Sequence, residues 1–201
     1  MNAPTDEELL QEYLDGEPAS FELLVRRHTP ELYQFAFRLI GDSVAAEDVV
    51  QETMLQIHNS AERFDPERRF KPWLFTIAAN KARDALRKRR RMREVPFDAR
   101  VNTYDDASRR FIDLLSADDS VPVEDLVLEE KRRVVRAIVE AMPSRLREVL
   151  VLAYYHRFPY KEIGEILAIP LGTVKSRLHA AVVEFAERYR GAVQERTRQQ
   201  Q

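Results

Sequence analysis

The chain of 201 residues reads as all-α, two small helical domains joined by a flexible acidic linker, and three observations predict this. Only five glycines occur, and alternation of β-branched residues is nowhere sustained, so strands have no pattern to form on. Apolar residues recur at helical spacing up to about Arg93 and again from Val123 to Tyr189. Between Glu94 and Glu130 that periodicity fades, eleven acidic residues face three basic ones, and Pro96 and Pro122 bracket the stretch. Like charges at that density keep a spacer solvated and extended. The expected division is therefore 1–95, a linker over 96–122 with a helical turn near Ser108–Leu115, a second domain over 123–192, and a polar tail over 193–201.

The first helix is short and acidic and starts at Thr5, with Glu8 placed to close a capping box. A longer one begins near Pro18 and carries Phe21, Leu24, Val25, Leu32, Phe35 and Leu39 at helical spacing. His28 shares the face of Leu24 and Leu32, which makes it a core histidine. Pro30 is expected to kink or interrupt this helix, and Gly41 to end it. Ser43 is the expected cap of the third helix, which runs to about Asn59.

On the third helix Ala46, Val49, Val50, Thr53, Met54 and Ile57 share one side and account for its core contacts. Leu55 falls on the other side, among Asp48, Gln51 and Glu52, with Val44 below it. A single exposed leucine means little, and an ordinary polar face is one reading. An apolar pair ringed by acids and an amide fits a small docking face better.

Phe64 to Arg93 joins a cluster of aromatics to a run of cations. Pro72 suits a first helical turn, and no Gly or Pro follows it through Arg93. Leu74, Ile77, Ala78 and Ala85 fall on one face, and Thr76, Asn80, Arg83, Arg87 and Arg90 on the opposite one. Residues 81–93 hold eight Lys or Arg and one Asp, whereas the whole chain carries a net charge of −2. A charge run alone is commonly a solvated face. Here Phe64, Phe70, Trp73 and Phe75 precede it, and rings beside cations are what unstacked bases of a single strand need.

In the C-terminal third, a helix from Pro143 turns Leu146, Val149, Leu150 and either Tyr154 or Ala153 inward. A short helix, Lys161–Leu167, is followed by the tight connection Ala168–Gly172 and a longer helix capped by Thr173. This is helix-turn-helix spacing, with a core of Ile163, Leu167, Ile169, Val174 and Leu178. Val174, Leu178, Ala181, Val182, Phe185 and Tyr189 form the inward stripe of the last helix, and Lys175, Ser176, His179 and Val183 project away. Arg177 lies at the edge of that stripe, where an ion pair with Glu162 would occupy it.

Composition narrows the function classes. Cysteine is absent, which removes disulfides and thiolate chemistry. The four histidines, His28, His58, His156 and His179, pair with no metal-spaced carboxylate, so no metal and no cofactor are expected. No phosphate-binding glycine loop or nucleophile elbow occurs, and the chain is not expected to be an enzyme. The longest apolar run, Val149 to Tyr155, is far short of the ~20 residues that span a bilayer, and the acidic N-terminus has no signal-peptide core. A cytoplasmic protein without membrane insertion is the expectation.

Trp73-Leu74, Ile77-Ala78, Asn80, Asp84 and Arg87 resemble the spaced W-L-x-x-I-A-x-N-x-x-x-D-x-x-R pattern of bacterial extracytoplasmic-function sigma factors of the sigma-70 superfamily. Gly172-Thr173-Val174-Lys175-Ser176-Arg177-Leu178 resembles that family's recognition helix for the −35 element. Ala46 through Glu52 is similar to its signature for binding the clamp helices of core RNA polymerase. The matches span most of residues 18–190 in the family's order. The resemblance implies an alternative sigma factor whose partners are core RNA polymerase, duplex −35 DNA and single-stranded −10 DNA. An anti-sigma factor is common in the family, although no residue here shows one.

The resemblance also assigns sites. Asp48, Gln51, Glu52 and Leu55 would bind core polymerase. Phe64, Phe70, Trp73, Asn80, Arg83, Arg87 and Arg90 would melt and hold the −10 element. Thr173, Lys175, Ser176, Arg177 and His179 would face the −35 duplex, and the acidic linker would thread a polymerase channel. Two departures stand out. Gly164 replaces a common Ala, both being small, and Ala180, Val182 and Val183 stand where many members have Arg or another polar residue. The rival reading is a helix-turn-helix regulator that needs no polymerase, and such a regulator would require neither the docking face nor the aromatic and basic helix.

Overall fold

The computed structural model describes residues 3–94 and 125–199. The N-terminal domain contains α1 (Asp6–Leu14), α2 (Pro18–Ile40), α3 (Ser43–Ser60) and α4 (Phe70–Glu94), with a 3-10 turn at Ala61–Arg63. The C-terminal domain contains α5 (Asp125–Ala141), α6 (Ser144–Leu150), α7 (Tyr160–Leu167) and α8 (Leu171–Gln199). A π-helical turn, Val151–Tyr155, continues α6. No strand occurs among the described residues, as an all-α fold requires. The expected linker and its helical turn lie outside them. No single helix among the described residues is long and apolar enough to cross a membrane.

The local chemistry of the helix ends is largely as read, with three differences. Thr5 and Glu8 form the capping box, with Thr5 N–H donating to Glu8 Oε2 at 2.7 Å and Glu8 N–H to Thr5 Oγ1 at 3.2 Å. Gly41 ends α2 at φ 71°, a left-handed conformation that glycine adopts freely, and its N–H reaches Phe37 O at 2.8 Å. Pro30, however, does not interrupt α2, which runs unbroken from Pro18 to Ile40. Buried Leu24, His28, Leu32, Tyr33 and Phe35 hold the helix on both sides of the missing N–H. The cap of α3 is Asp42 rather than Ser43, its carboxylate accepting Ala45 N–H at 3.0 Å. The last helix begins at Leu171, so Thr173 lies inside the first turn instead of capping it, and the helix continues to Gln199 through the expected tail.

In the N-terminal domain Leu32, Phe35, Leu39, Val49, Ile57, Leu74 and Phe75 form the centre of the core. His28 is buried among them and paired to Asp6 Oδ2 through Nε2 at 2.8 Å. Burial opposes the charge of Asp6, yet hydrogen bonds and charge from His28 and Arg27 outweigh it and hold the carboxyl below its ordinary range. In the C-terminal domain Leu146, Val149, Leu152, Ile163, Leu167, Val174, Leu178 and Ala181 close around the helix-turn-helix. Tyr154 is 61% exposed and Ala153 half-buried, so Ala153 is the inward residue. Val182 leaves the inward stripe expected of it and is 40% exposed.

Gly164 is less interchangeable than its size implies. A Cβ at this position would lie 2.9 Å from the backbone oxygen of Ile169, closer than real Cβ atoms approach. Gly164 O in turn accepts Ile169 N–H at 2.9 Å, and Ala168 takes φ 53° to end α7. The connection to α8 is tight because nothing projects from residue 164.

The two domains share one continuous core. Phe35 and Phe75 meet edge to face at 5.2 Å, and His156 lies 5.5 and 5.0 Å from them. Phe158 packs on Phe75 at 4.9 Å. The π turn widens the helix just before His156 and brings that residue to the seam, while Arg157 takes φ 54° to carry the chain on into α7.

Candidate functional site

The α3 face appears as the sequence places it. Leu55 is 60% and Val44 65% exposed, while Ala46, Val49, Val50, Thr53 and Ile57 are buried. Asp48, Gln51 and Glu52 are exposed around Leu55. Glu52 accepts an ion pair from Lys81 on α4 at 3.2 Å, which links this face to the start of the cationic stripe.

On α4 the two faces separate as predicted, with Leu74, Ile77 and Ala78 buried and Asn80, Arg87 and Arg90 exposed. The aromatic cluster is more structural than an open stacking platform. Phe70 is 1% exposed, and Phe64 and Trp73 are half-buried with ring centroids 4.9 Å apart. Phe70 also contacts both rings, at 6.1 and 5.9 Å, and its N–H donates to Glu7 Oε1 at 2.7 Å. This knot roots the exposed stretch Asp65–Arg69 on α1 and α4. Phe70 itself presents no face to a base.

The cations of α4 have different surroundings. Arg87 pairs with Asp84 on its own helix, at the surface. Arg89 donates to Ile40 O at 3.0 Å, across the C-terminal end of α2, where carbonyls carry the negative end of the helix dipole. Arg83 reaches the other domain. Its Nε and Nη2 donate to the two oxygens of Glu148 at 3.0 and 2.9 Å, a bidentate fork, while Nη1 donates to Asn80 Oδ1 at 3.2 Å. Glu148 is only 5% exposed.

On α8, Lys175, Ser176 and His179 are exposed, and Thr173 and Arg177 are half-buried. The side chain of Ser176 bonds back to Thr173 O at 3.1 Å. The expected pair between Arg177 and Glu162 does not form. Glu162 instead accepts Arg69 Nη1 from the N-terminal domain at 2.6 Å. Interdomain geometry outcompetes the nearby partner because Arg69 leads out of the rooted loop directly onto α7.

Arg147 and the pair of Glu31 with His156 also join the domains. Arg147 donates to Leu39 O at 2.5 Å and to Met142 O at 2.9 Å, and also to Glu140 O, so one guanidinium caps the ends of α2 and α5 together. Burial pushes its pKa down, with Glu140 and Glu148 opposing that shift. Glu31 accepts Lys71 Nζ at 2.7 Å and faces His156 Nδ1 at 3.1 Å. Burial works against the Glu31 charge, but hydrogen bonds from His156 and Lys71 prevail and hold the carboxyl below its ordinary value.

Glu148 had a legible signal, since it lies beside Val151 and Leu152 on an apolar helix face, where an acid needs a cation. Which cation would come could not be read. Among the described residues no group of three or more His, Cys, Asp or Glu could hold a metal ion.

The elements bearing these faces coincide with known sequence families. Residues 24–92 match the Sigma-70 region 2 family, and residues 132–184 match Sigma-70, region 4. The chain is 32% identical over 164 residues to the ECF RNA polymerase sigma factor SigW of Bacillus subtilis, covering 82% of this chain and 86% of that one. It is 33% identical over 178 residues to the RNA polymerase sigma factor CarQ of Myxococcus xanthus, covering 89% and 94%. In fold it is similar to CnrH in complex with the cytosolic domain of CnrY, with a TM-score of 0.63 at 23% identity, covering 90% of this chain and 95% of that one. It is likewise similar to the sigma factor RpoE in complex with the anti-sigma factor NepR from Bartonella quintana, with a TM-score of 0.61 at 23% identity, covering 85% and 96%. The order of region 2 before region 4, the near-complete overlap with these relatives and the helix-turn-helix converge, and the chain belongs to the ECF RNA polymerase sigma factors of the sigma-70 family, alternative sigma factors that direct transcription initiation by RNA polymerase.

Proposed function

We propose that α3 docks on core RNA polymerase through Asp48, Gln51, Glu52 and Leu55, that α4 and the loop before it open and hold the −10 element, and that the start of α8 reads the −35 duplex. The polymerase performs the chemistry in the cytoplasm, and this chain supplies promoter specificity and strand capture without catalysis of its own. The observation that carries the reading is the α3 surface. Its apolar side is fully used inside the domain, yet Leu55 and Val44 stand exposed beside two acids and an amide. A regulator acting without polymerase has no use for such a face.

The remaining roles follow from position. Arg83, Arg87 and Arg90 hold phosphates, while Asn80 and the loop 60–70 meet extruded bases. Phe64, Phe70 and Trp73 fix the loop from below. Lys175, Ser176 and His179 meet base edges, with Thr173 and Arg177 on the flanking backbone. The folds of CnrH and RpoE are recorded with a bound protein partner, an anti-sigma factor in the case of RpoE, and a partner of that class is proposed for this chain.

Run-off transcription with core polymerase, with and without this chain, tests the whole reading. Leu55→Asp tests the docking face. It is expected to weaken the complex with core by about 2 kcal/mol while helicity and melting temperature stay unchanged. Co-purification of that variant with core at the level of the unsubstituted chain would sink the assignment.

A further inference from the structure

We infer that Glu7 of α1 is a positioning residue for −10 recognition, setting the direction of the loop that meets the extruded bases. The inference rests on the −10 reading of α4 and its loop, and adds a residue from outside the segment 24–92 that matches region 2. Asp65–Arg69 is exposed throughout. Two hydrogen bonds fold it on itself, Asp65 Oδ1 accepting Glu67 N–H at 3.1 Å and Asp65 O accepting Arg68 N–H at 2.9 Å. These give the loop a shape, while its direction relative to α4 is set where it joins the helix.

That junction is capped from a distance. α4 begins at Phe70, and Arg69 before it has no side-chain acceptor for the first N–H groups. Glu7 supplies one from 63 residues away, its Oε1 taking Phe70 N–H at 2.7 Å. A carboxylate there also answers the positive end of the α4 dipole. Pro72, two residues on, has no N–H to anchor, so the Phe70 bond carries more of this helix end. Glu7 can hold its place because α1 is itself fixed. Asp6 takes Arg27 Nη1 at 2.6 Å and His28 Nε2 at 2.8 Å from α2, the Ser20 hydroxyl donates to Glu12 at 2.5 Å, and Leu9 and Leu10 are buried. His28 then packs on Phe70, ring centroids 5.5 Å apart. Two successive acids thus tie one helix to α2 and to the start of α4. Losing the Glu7 bond frees the first N–H of α4 and lets residues 65–69 take another direction. Base contacts depend on that direction, whereas Arg87 and Arg90, far along the helix, keep their hold on phosphates.

The test uses the full chain with core polymerase on a promoter library randomised at −10, with the transcripts sequenced to rank the bases. Glu7→Ala is expected to lower the preference at a loop-read position about tenfold, as the loss of one base contact would. Its −35 ranking, from a second library, should match that of the unsubstituted chain. Glu7→Gln, whose amide oxygen still accepts Phe70 N–H, should keep the −10 ranking. Hydrogen exchange at the Phe70 amide should be fast in Glu7→Ala and slow in Glu7→Gln. If Glu7→Ala melts early, Glu7→Asp, one methylene too short for the 2.7 Å contact, must shift the ranking in the same way. Yield lost equally from every −10 sequence, with the ranking kept, would overturn the inference and leave Glu7 a stabilising residue only. The −10 reading then stands if Glu67→Ala, in the loop itself, still shifts the ranking. A ranking indifferent to Glu7→Ala and Glu67→Ala alike would overturn the −10 reading of the loop and the inference with it.

Discussion

Glu148 shows how much one side chain can decide. Buried at 5% exposure, its carboxylate is held by the Arg83 fork, and breaking a buried pair from one side commonly costs about 3–5 kcal/mol. In this protein the cost has an upper limit, because parting the domains rehydrates the acid. Gly164 has no such escape. A methyl group there meets the Ile169 carbonyl inside one small domain, so Gly164→Ala is expected to destabilise the C-terminal domain by about 1–3 kcal/mol, read as a lower melting temperature. The recognition residues are a different case. Lys175 and His179 are exposed and flanked by Ala180 and Val183, which carry no hydrogen-bonding groups. Lys175→Ala and His179→Ala are each expected to change −35 discrimination by about 1–3 kcal/mol in transcription from a randomised promoter library. Unchanged preferences in both would show that another face of α8 reads the duplex.

At the scale of elements, α3 and α4 carry the separable predictions. Asp42→Ala is expected to cost about 1 kcal/mol of stability through the lost bond to Ala45 N–H, and Ser43→Ala much less. Equal effects in denaturant melts would reverse that assignment of the cap. Arg87→Ala should weaken open-complex formation at every promoter and reduce the salt slope by about 1. Faces of helices were legible because burial follows the helical period, which is why Leu55, Asn80 and Lys175 stand in solvent as read. Helix ends were less so. Asp42 and Ser43 are both competent caps, and only the backbone geometry chooses between them. Pro30 misled for a related reason, since the loss of one hydrogen bond is local whereas the burial that sustains α2 comes from α1, α3 and α4. Phe70 suits a ring for bases by sequence alone, yet it is buried, because composition cannot tell an exposed aromatic from one folded under its own loop.

For the whole molecule, the joining of the domains was the part the sequence withheld. Its contacts pair residues far apart, such as Glu31 with His156 and Arg69 with Glu162, and no period along the chain announces them. The contact of Glu31 with His156 across the domains has a signature in acid. A carboxyl held below its ordinary value of 4.5, as Glu31 is, adds stability that is complete above that value and is lost as pH falls through the depressed one. Melting temperature should therefore decline in acid below the ordinary carboxylate range, and Glu31→Gln should flatten part of that decline, leaving the share due to Asp6. An undiminished decline would remove Glu31 from the account. The π turn at Val151–Tyr155 has a consequence for descent as well as for shape. A π turn takes up one residue more than an ordinary helical turn, so deleting one residue from it is expected to restore an ordinary helix while keeping His156 and Phe158 at the seam. A single-codon loss there, after Arg147 and Glu148, would thus be one that the joining of the domains absorbs, and kindred chains could differ in length at this point without losing it.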